Sequence, residues 1–172
     1  MKKNILIILA VVIAALVGML VYNSTQTGFI KIDASNTTVT LKGPWSSIVR
    51  VGPDREPVKA RAGFYRPRRA EIAKQSNGGK WQISSHGPWQ KLGKIEVTKD
   101  QTTIIKLGEP LLVKANVSPA GNKVSIGFSI VGQAGEKYSP RIKKNNRDTA
   151  APKLKIVDQE GNILASGKFE YG

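Results

Sequence analysis

Hydrophobic positions follow two different patterns along this 172-residue chain. An unbroken run of 18 apolar or small residues, Ile5 to Tyr22, follows directly after Lys2, Lys3 and Asn4. Beyond residue 28, short segments alternate apolar and polar side chains and are separated by Gly, Pro, Asn or Asp. Alternation with a period of two is typical of strands that bury one face. The pattern therefore predicts one N-terminal helix followed by a β-rich part.

The N-terminal run resembles a spanning helix, which needs about 17–25 residues, more than a secretory signal core of about 7–15. Small residues suited to cleavage are poorly placed, so an uncleaved signal-anchor over about 5–22 is preferred to a cleaved and secreted form. Lysines before such a helix stay in the cytoplasm. We expect a single-pass protein of the bacterial inner or plasma membrane. Residues 1–28 would form the cytoplasmic tip, helix and linker, and 29–172 a periplasmic or extracellular domain.

The exported part is predicted to be all-β. Its segments with strand character are 29–33, 37–42, 46–51, 58–62, 80–84, 94–98, 102–107, 111–117, 123–131, 153–157 and 162–166. Many short strands at such intervals favour an antiparallel β-sandwich, either as one domain or as two small modules with a boundary near residue 108. Residues 68–75 are the one stretch predicted as a helix, of two turns at most.

Positive charge is concentrated in the first half of the exported part. Residues 29–172 carry 25 cations and 12 acids, a net charge of 25 − 12 = +13. Residues 42–94 hold twelve cations and three acids, whereas 95–172 hold twelve and eight. A basic protein favours a polyanionic partner. After export the available polyanions are anionic lipid and cell-wall polymers, so nucleic acid is not the expected partner.

The densest basic segment is "FYRPRRAEIAK", residues 64–74. Its guanidinium groups could grip phosphates or carboxylates bidentately. The predicted anion-binding set is Lys59, Arg61, Arg66, Arg68 and Arg69. The alternative interpretation is the solvated face of an ordinary sheet, which cations also protect from edge-to-edge aggregation.

Aromatic side chains suggest a second kind of site. Tyr65, Trp81 and Trp89 could form a stacking platform for a glycan, because an exposed ring combines an apolar face with a polar edge. The alternative is that these rings belong to the core of a small β domain.

Residues able to support catalysis or metal binding are few. The chain has no cysteine and one histidine, His86, next to Ser84 and Ser85. Neighbours along a strand point to opposite faces, and no orienting acid is evident, so no catalytic site is predicted. Asp158, Glu160 and Asn162 alternate like the start of a calcium loop, but the distal glutamate is missing, and a hairpin turn fits better. No metal site and no cofactor are predicted.

Three segments, "AGFYRP", "GEPLLVKA" and "KLKIVDQEGNILASGKFEYG", resemble parts of exported bacterial β-sandwich modules of the transthyretin-like or carboxypeptidase-regulatory-like kind. The resemblance implies a transthyretin-like or immunoglobulin-like sandwich that stabilises, binds or spaces other parts. It carries over no catalytic residue.

Together these features predict a membrane-anchored, non-enzymatic bacterial envelope protein. Its basic β-sandwich would serve structural, anionic-surface or protein interactions, with anionic lipid, a cell-wall polymer or another envelope protein as partner. A glycan-binding module that uses the aromatic set is the alternative. The sequence leaves the oligomeric state open.

Overall fold

The computed structural model describes residues 2–52 and 56–170, with the side chains at 2–10, 20, 23, 24 and 120 left out. The chain begins with helix α1, Lys2–Thr25, and a three-residue 3-10 turn lies at Pro44–Ser46. Strands make up the remaining regular structure of the described part. In chain order they are β1 Thr27–Ile32, β2 Thr37–Lys42, β3 Ile48–Val51, β4 Val58–Arg61, β5 Gly63–Ser76, β6 Gly79–His86, β7 Ile95–Val97, β8 Thr102–Ile105, β9 Leu112–Ala120, β10 Lys123–Val131, β11 Lys137–Tyr138, β12 Lys143–Lys144, β13 Arg147–Asp148, β14 Lys153–Val157 and β15 Ile163–Lys168.

Apolar side chains surround helix α1 instead of forming one stripe along it. The exposed large apolar side chains of this helix are Val11, Val12, Ile13, Leu16, Val17, Met19, Val21 and Tyr22. Across the described residues, no helix combines the length and hydropathy that crossing a membrane requires. The span that the sequence predicts over residues 5–22 stays a prediction.

Hydrogen bonding joins the strands into three sheets. The largest has the order β3-β2-β5-β6-β11-β10-β9, with β7 added beside β5 and β12 bridging β6 and β13. A smaller sheet has the order β4-β1-β8, in which β1 pairs antiparallel with β4 and parallel with β8. Strands β14 and β15 form a separate antiparallel hairpin. The predicted all-β class is confirmed, and the sheets are antiparallel except at the β1–β8 pair.

The larger two sheets contribute to one hydrophobic core. Strand β1 supplies Ile30 and Ile32, and β2 of the large sheet supplies Val39 and Leu41. Since successive side chains of a strand alternate between its faces, the residues between these positions point away from the core. The remaining buried members are Val51, Ala60, Tyr65, Ala70, Trp89, Ile95, Val97, Ile105, Leu107 and Ala134. Closure of the two sheets into a sandwich stays a prediction.

Strand β6 connects the two halves of the β-rich part. It pairs with β5 along one edge, and on the other edge Ser85 pairs with Tyr138 of β11. A smaller apolar cluster at this junction consists of Ile72, Ile83, Ile130 and Tyr138. The boundary near residue 108 stays a prediction.

A buried carboxylate, that of Glu136, joins the segment near residue 108 to the β10–β11 turn. Its Oε1 accepts hydrogen bonds from the backbone N–H of Gly108 at 2.5 Å and from Tyr138 Oη at 3.2 Å. Its Oε2 accepts one from the N–H of Ala134 at 2.8 Å. Burial, and then the negative charge of Glu136, raises the pKa of Tyr138 well above its usual range. The phenol therefore stays protonated and donates to the carboxylate.

The helix predicted over residues 68–75 is wrong, because these residues lie in β5. The residues of "RRAEIAKQ" have good helix propensity, but Ala70 and Ile72 are buried two positions apart, which is the period of a strand. Hydrogen bonds to β2 on one side and β6 on the other pair the backbone along this stretch. Tertiary pairing overrides the local preference here.

Candidate anion-binding face

The cations of β5 reach the surface through strand alternation and one β-bulge. Tyr65 and Pro67 are buried, and Arg66 between them is exposed. The register with β2 shifts here, with Leu41 opposite Pro67 and Thr40 opposite Arg69. Arg68 is the extra residue of this bulge, so both Arg68 and Arg69 are exposed. Beyond the bulge, Arg69 and Glu71 occupy the side of the sheet that faces away from the core.

Polar side chains form a row across four strands on this side. Register places Arg50 of β3 opposite Thr40 of β2, Thr40 opposite Arg69 of β5, and Arg69 opposite His86 of β6. Neighbouring strands lie about 4.8 Å apart, so Arg50 and Arg69 have backbones roughly 10 Å apart. A parallel row continues through Gln82 of β6 to Lys143 of β12. We call the outer side of β3, β2, β5, β6 and β12 the β5 face.

Glu71 is the acidic centre of the β5 face. Its Oε2 lies 3.1 Å from Arg69 Nη2, and its Oε1 accepts a hydrogen bond from Gln82 Nε2 at 3.0 Å. Half of the Arg69 side chain is exposed, so this pair contributes at most about 1 kcal/mol to stability. Its main effect is to hold the guanidinium of Arg69 against the sheet.

Two shallow depressions meet at Arg69 and Glu71. One has a volume of about 290 Å³, and its lining residues are Arg69, Glu71, Gln82, Ile83, Ser84, His86, Arg141, Lys143 and Asn146. The other has a volume of about 270 Å³, and its lining residues are Thr38, Thr40, Arg50, Arg69 and Glu71. Four permanent cations thus surround one carboxylate over an open surface. Such a surface can bind several spaced phosphates or carboxylates of one ligand.

The structure divides the predicted anion-binding set between two sheets. Arg66, Arg68 and Arg69 lie on β5, whereas Lys59 and Arg61 are exposed on β4 of the three-stranded sheet. Lys59 and Arg61 are therefore not part of the β5 face. The β5 face instead includes Arg50, Arg141 and Lys143. The sequence did not indicate these residues, because only the folded arrangement of the strands brings them close to Arg69.

The structure separates the three rings considered as a glycan platform, Tyr65, Trp81 and Trp89, into two buried rings and one exposed ring. Tyr65 is fully buried, donates from Oη to the carbonyl of Arg61 at 3.0 Å, and has its pKa raised by burial. Trp89 is also buried, and its Nε1 donates to Ser85 Oγ at 2.9 Å. Trp81 alone is partly exposed, with Lys144 Nζ 5.2 Å from its ring centroid. Two of these three rings are core residues that no ligand can reach.

The serines beside His86 take separate roles. Ser85 is buried, and its hydroxyl donates to the carbonyl of Lys137 at 2.6 Å while accepting the indole N–H of Trp89. Ser84 and His86 lie on the β5 face, two positions apart on the same strand. The prediction that Ser85 and His86 point to opposite faces is confirmed. The hydroxyl of Ser85 is engaged in holding the core.

The segment "VDQEGNIL" forms the predicted hairpin turn between β14 and β15. The carboxylate of Asp158 accepts hydrogen bonds from the side-chain amide of Asn162 at 2.9 Å and from the N–H groups of Asn162 and Glu160 at 2.8 and 3.0 Å. These bonds, first that from the Asn162 side chain, lower the pKa of Asp158 below its ordinary value of 3.8. The carboxylate therefore serves to close the turn.

We expect the Asp158 turn to open in acid. Because the folded pKa is lowered, its stabilisation is present above pH 3.8 and is lost as pH falls through the lowered pKa. An NMR titration should show the Asn162 amide resonance moving towards its random-coil position below about pH 4. In Asp158→Ala the backbone N–H resonance of Asn162 should lie there at every pH. The Glu160→Ala control, which removes only a 3.4 Å contact to the Asn162 side chain, should leave the titration of that backbone N–H like the parent's. A parent resonance that stays constant down to pH 2 would contradict this role.

Comparison with protein-family models, with curated proteins and with solved structures finds no match for this chain. The resemblance to transthyretin-like modules stays a prediction.

Proposed function

We propose that this protein is a membrane-anchored, non-enzymatic bacterial envelope protein whose β5 face binds an anionic envelope polymer. The observation that carries the proposal is the cross-strand row Arg50–Thr40–Arg69–His86, with Arg141 and Lys143 beside it. The four cations among them, Arg50, Arg69, Arg141 and Lys143, come from separate parts of the chain. Their convergence on one open surface favours a ligand with repeated negative charges.

The geometry suits an extended ligand better than a small one. Both depressions are shallow, and the Arg69–Glu71 pair stands between them. A single phosphate would contact one or two cations, whereas a chain with charges roughly every 5–10 Å could contact Arg50, Arg69 and Lys143 in turn. Exposed pairs of this kind contribute about 0.2–1 kcal/mol each, so several must act together to give useful affinity.

The proposal places the protein at the inner or plasma membrane, with its β-rich part periplasmic or extracellular. Support comes from the uncharged run Ile5–Tyr22 and from the apolar side chains exposed on all sides of α1. A helix that is apolar all round needs an apolar environment. The two lysines before this run favour a cytoplasmic N-terminus. A cleaved, secreted form is the alternative.

A glycan platform is disfavoured as the alternative function, because Tyr65 and Trp89 are buried. A catalytic role has little support, since the hydroxyl of Ser85 is engaged in the core. A binding role needs only the charges that the β5 face presents. It is also consistent with the accessory role implied by the resemblance to transthyretin-like modules.

The proposed function predicts loss of polyanion binding when the β5 face is neutralised. The full chain, reconstituted in nanodiscs of neutral lipid, is titrated with inorganic polyphosphate across a salt series. The variant Arg50→Ser/Arg69→Ser/Arg141→Ser should bind about tenfold or more weakly, from roughly 0.5 kcal/mol or more per lost cation. Wild-type binding should weaken as salt rises, and neutral dextran should not bind.

The matched control removes three exposed cations from the β14–β15 hairpin, as Lys153→Ser/Lys155→Ser/Lys168→Ser. The two variants have the same net charge. If both weaken binding equally, the ligand senses overall charge and the β5 face is not its site. Full polyphosphate binding by the first variant would also refute the proposal.

A further inference from the structure

One end of the β-rich part lies directly at the end of helix α1. The helix ends at Thr25, and β1 begins at Thr27, so Gln26 is the whole connection. The side-chain amide of Gln26 donates to the backbone carbonyl of Tyr22 at 3.2 Å, and the backbone carbonyl of Gln26 accepts the N–H of Ala62 at 2.9 Å. The β4–β5 corner is thereby held against the helix terminus.

The 3-10 turn Pro44–Ser46 packs against the same corner. A Cβ placed on Gly63 would lie 2.8 Å from Pro44 Cγ, so the turn and the corner touch. Gly63 has a φ of +134°, which an L side chain rarely adopts. Two successive contacts, Gln26–Ala62 and Gly63–Pro44, therefore connect the end of α1 to this turn. We call this region, with the starts of β3 and β5, the helix-proximal end.

Large apolar side chains project from the helix-proximal end. Trp45 is 75% exposed, Ile48 is 73% exposed and Phe64 is 50% exposed. Trp45 and Ser46 have φ values of 56° and 61°, in the left-handed region that non-glycine residues adopt at a cost of roughly 1–2 kcal/mol each. This backbone holds the indole away from the core. Folding stability gives no reason for such an arrangement, which makes a function in binding the better explanation.

Cations lie beside two of these apolar side chains. Lys42 lies opposite both Ile48 and Arg66 in the register, and Lys94 Nζ lies 3.4 Å from the ring centroid of Phe64. Glu96, opposite Phe64, is an acid of the same region. Arg61, just before the β4–β5 corner, and Lys99 and Asp100, next to the start of β1, are further charged residues of this region. Among these described residues, five cations and two acids sum to a charge of 5 − 2 = +3.

We infer that the helix-proximal end rests on an anionic bilayer surface, with Trp45, Ile48 and Phe64 inserted among the lipid headgroups. This inference depends on the proposed insertion of α1, which would bring the end to the membrane. Tryptophan is enriched at membrane–water interfaces, where its apolar ring and polar N–H are both accommodated. Cations near an anionic surface contribute about 1 kcal/mol each. Tyr22, exposed in the last turns of α1, would lie at the same level.

The absence of cysteine makes a site-specific test direct. Full-length Trp45→Cys and Ile48→Cys variants are labelled with an environment-sensitive fluorophore and reconstituted in nanodiscs that contain anionic lipid and nitroxide-labelled lipid. We expect a blue shift and at least twofold quenching at both positions. A label at Leu164→Cys of β15, also an exposed apolar position at 65%, should remain unquenched. With neutral lipid alone, quenching at position 45 should fall.

The outcomes separate this inference from the proposed attachment of α1. Detergent-free flotation with vesicles reports on α1, and the fluorophore reports on the helix-proximal end. Flotation with equal quenching at 45 and 164 would overturn the docking inference and leave the attachment standing. A blue shift at 45 without lipid quenching would indicate a protein contact and would also overturn it. Failure to float would refute the attachment, and the docking with it.

Discussion

Replacing Trp89 by alanine is expected to lower the free energy of unfolding by about 3–5 kcal/mol. The side chain is 4% exposed and packs in the core shared by the two larger sheets. Its removal leaves a large cavity and takes away the hydrogen bond to Ser85, whose hydroxyl also bonds the carbonyl of Lys137. Urea titration of the full chain in mild detergent, followed by circular dichroism, measures the change.

The other tryptophans supply the matched comparison. Trp45→Ala removes a side chain that is 75% exposed and should change the free energy of unfolding by no more than about 0.5 kcal/mol. Trp81→Ala loses a bond to Ser76 and a contact with Lys144, and should cost about 1 kcal/mol. A Trp89 variant as stable as the Trp45 variant would show that position 89 is not a core site.

Replacing Glu136 by alanine is expected to cost about 3 kcal/mol. The backbone N–H groups of Gly108 and Ala134 would lose their acceptor, and each buried orphan donor costs about 1–3 kcal/mol. Tyr138 would lose its partner as well. For a chain of this size the melting temperature should fall by about 6–12 °C, which differential scanning calorimetry can measure.

The control for Glu136 is Glu160→Ala, which removes the same charge from the exposed β14–β15 turn and should leave the melting temperature within about 2 °C. Gly132→Ala should reproduce the Glu136 effect by another route, since a Cβ there would collide with Glu136 Oε1. Equal melting temperatures for Glu136→Ala and Glu160→Ala would mean that the buried carboxylate is not a structural clamp.

Local pattern was enough to predict most strands and, in some of them, the buried face. In β2 and β4 the alternation of Val39, Leu41 and Ala60 with polar residues gives the buried positions directly. It failed in residues 68–75, where helix-favouring side chains lie in a strand between β2 and β6. Pairing partners far along the chain decide the structure there, and a single sequence does not reveal them.

The candidate site was only partly predictable for the same reason. Arg66, Arg68 and Arg69 are conspicuous as a local run, but Arg50, Arg141 and Lys143 join Arg69 only through strand register and a bulge. For Tyr65 and Trp89 the sequence left both a platform and a core position open, because an aromatic residue beside a turn can face either side of a sheet. The structural role of Glu136 was not evident from the sequence either, since its partners Gly108 and Ala134 contribute backbone N–H groups, which almost any residue could supply.

The single-residue connection at Gln26 limits where a bound ligand can be held. Strand β5 starts at the helix-proximal end and rises about 3.3 Å per residue, which puts Arg69 roughly 20 Å along the strand from Gly63. Because the connection is one residue long, the β5 face cannot move much further from the end of α1. Under the proposed attachment, polymers fixed to the same membrane would meet it at a high effective concentration. Polymers confined to a greater distance from the membrane would not reach the β5 face.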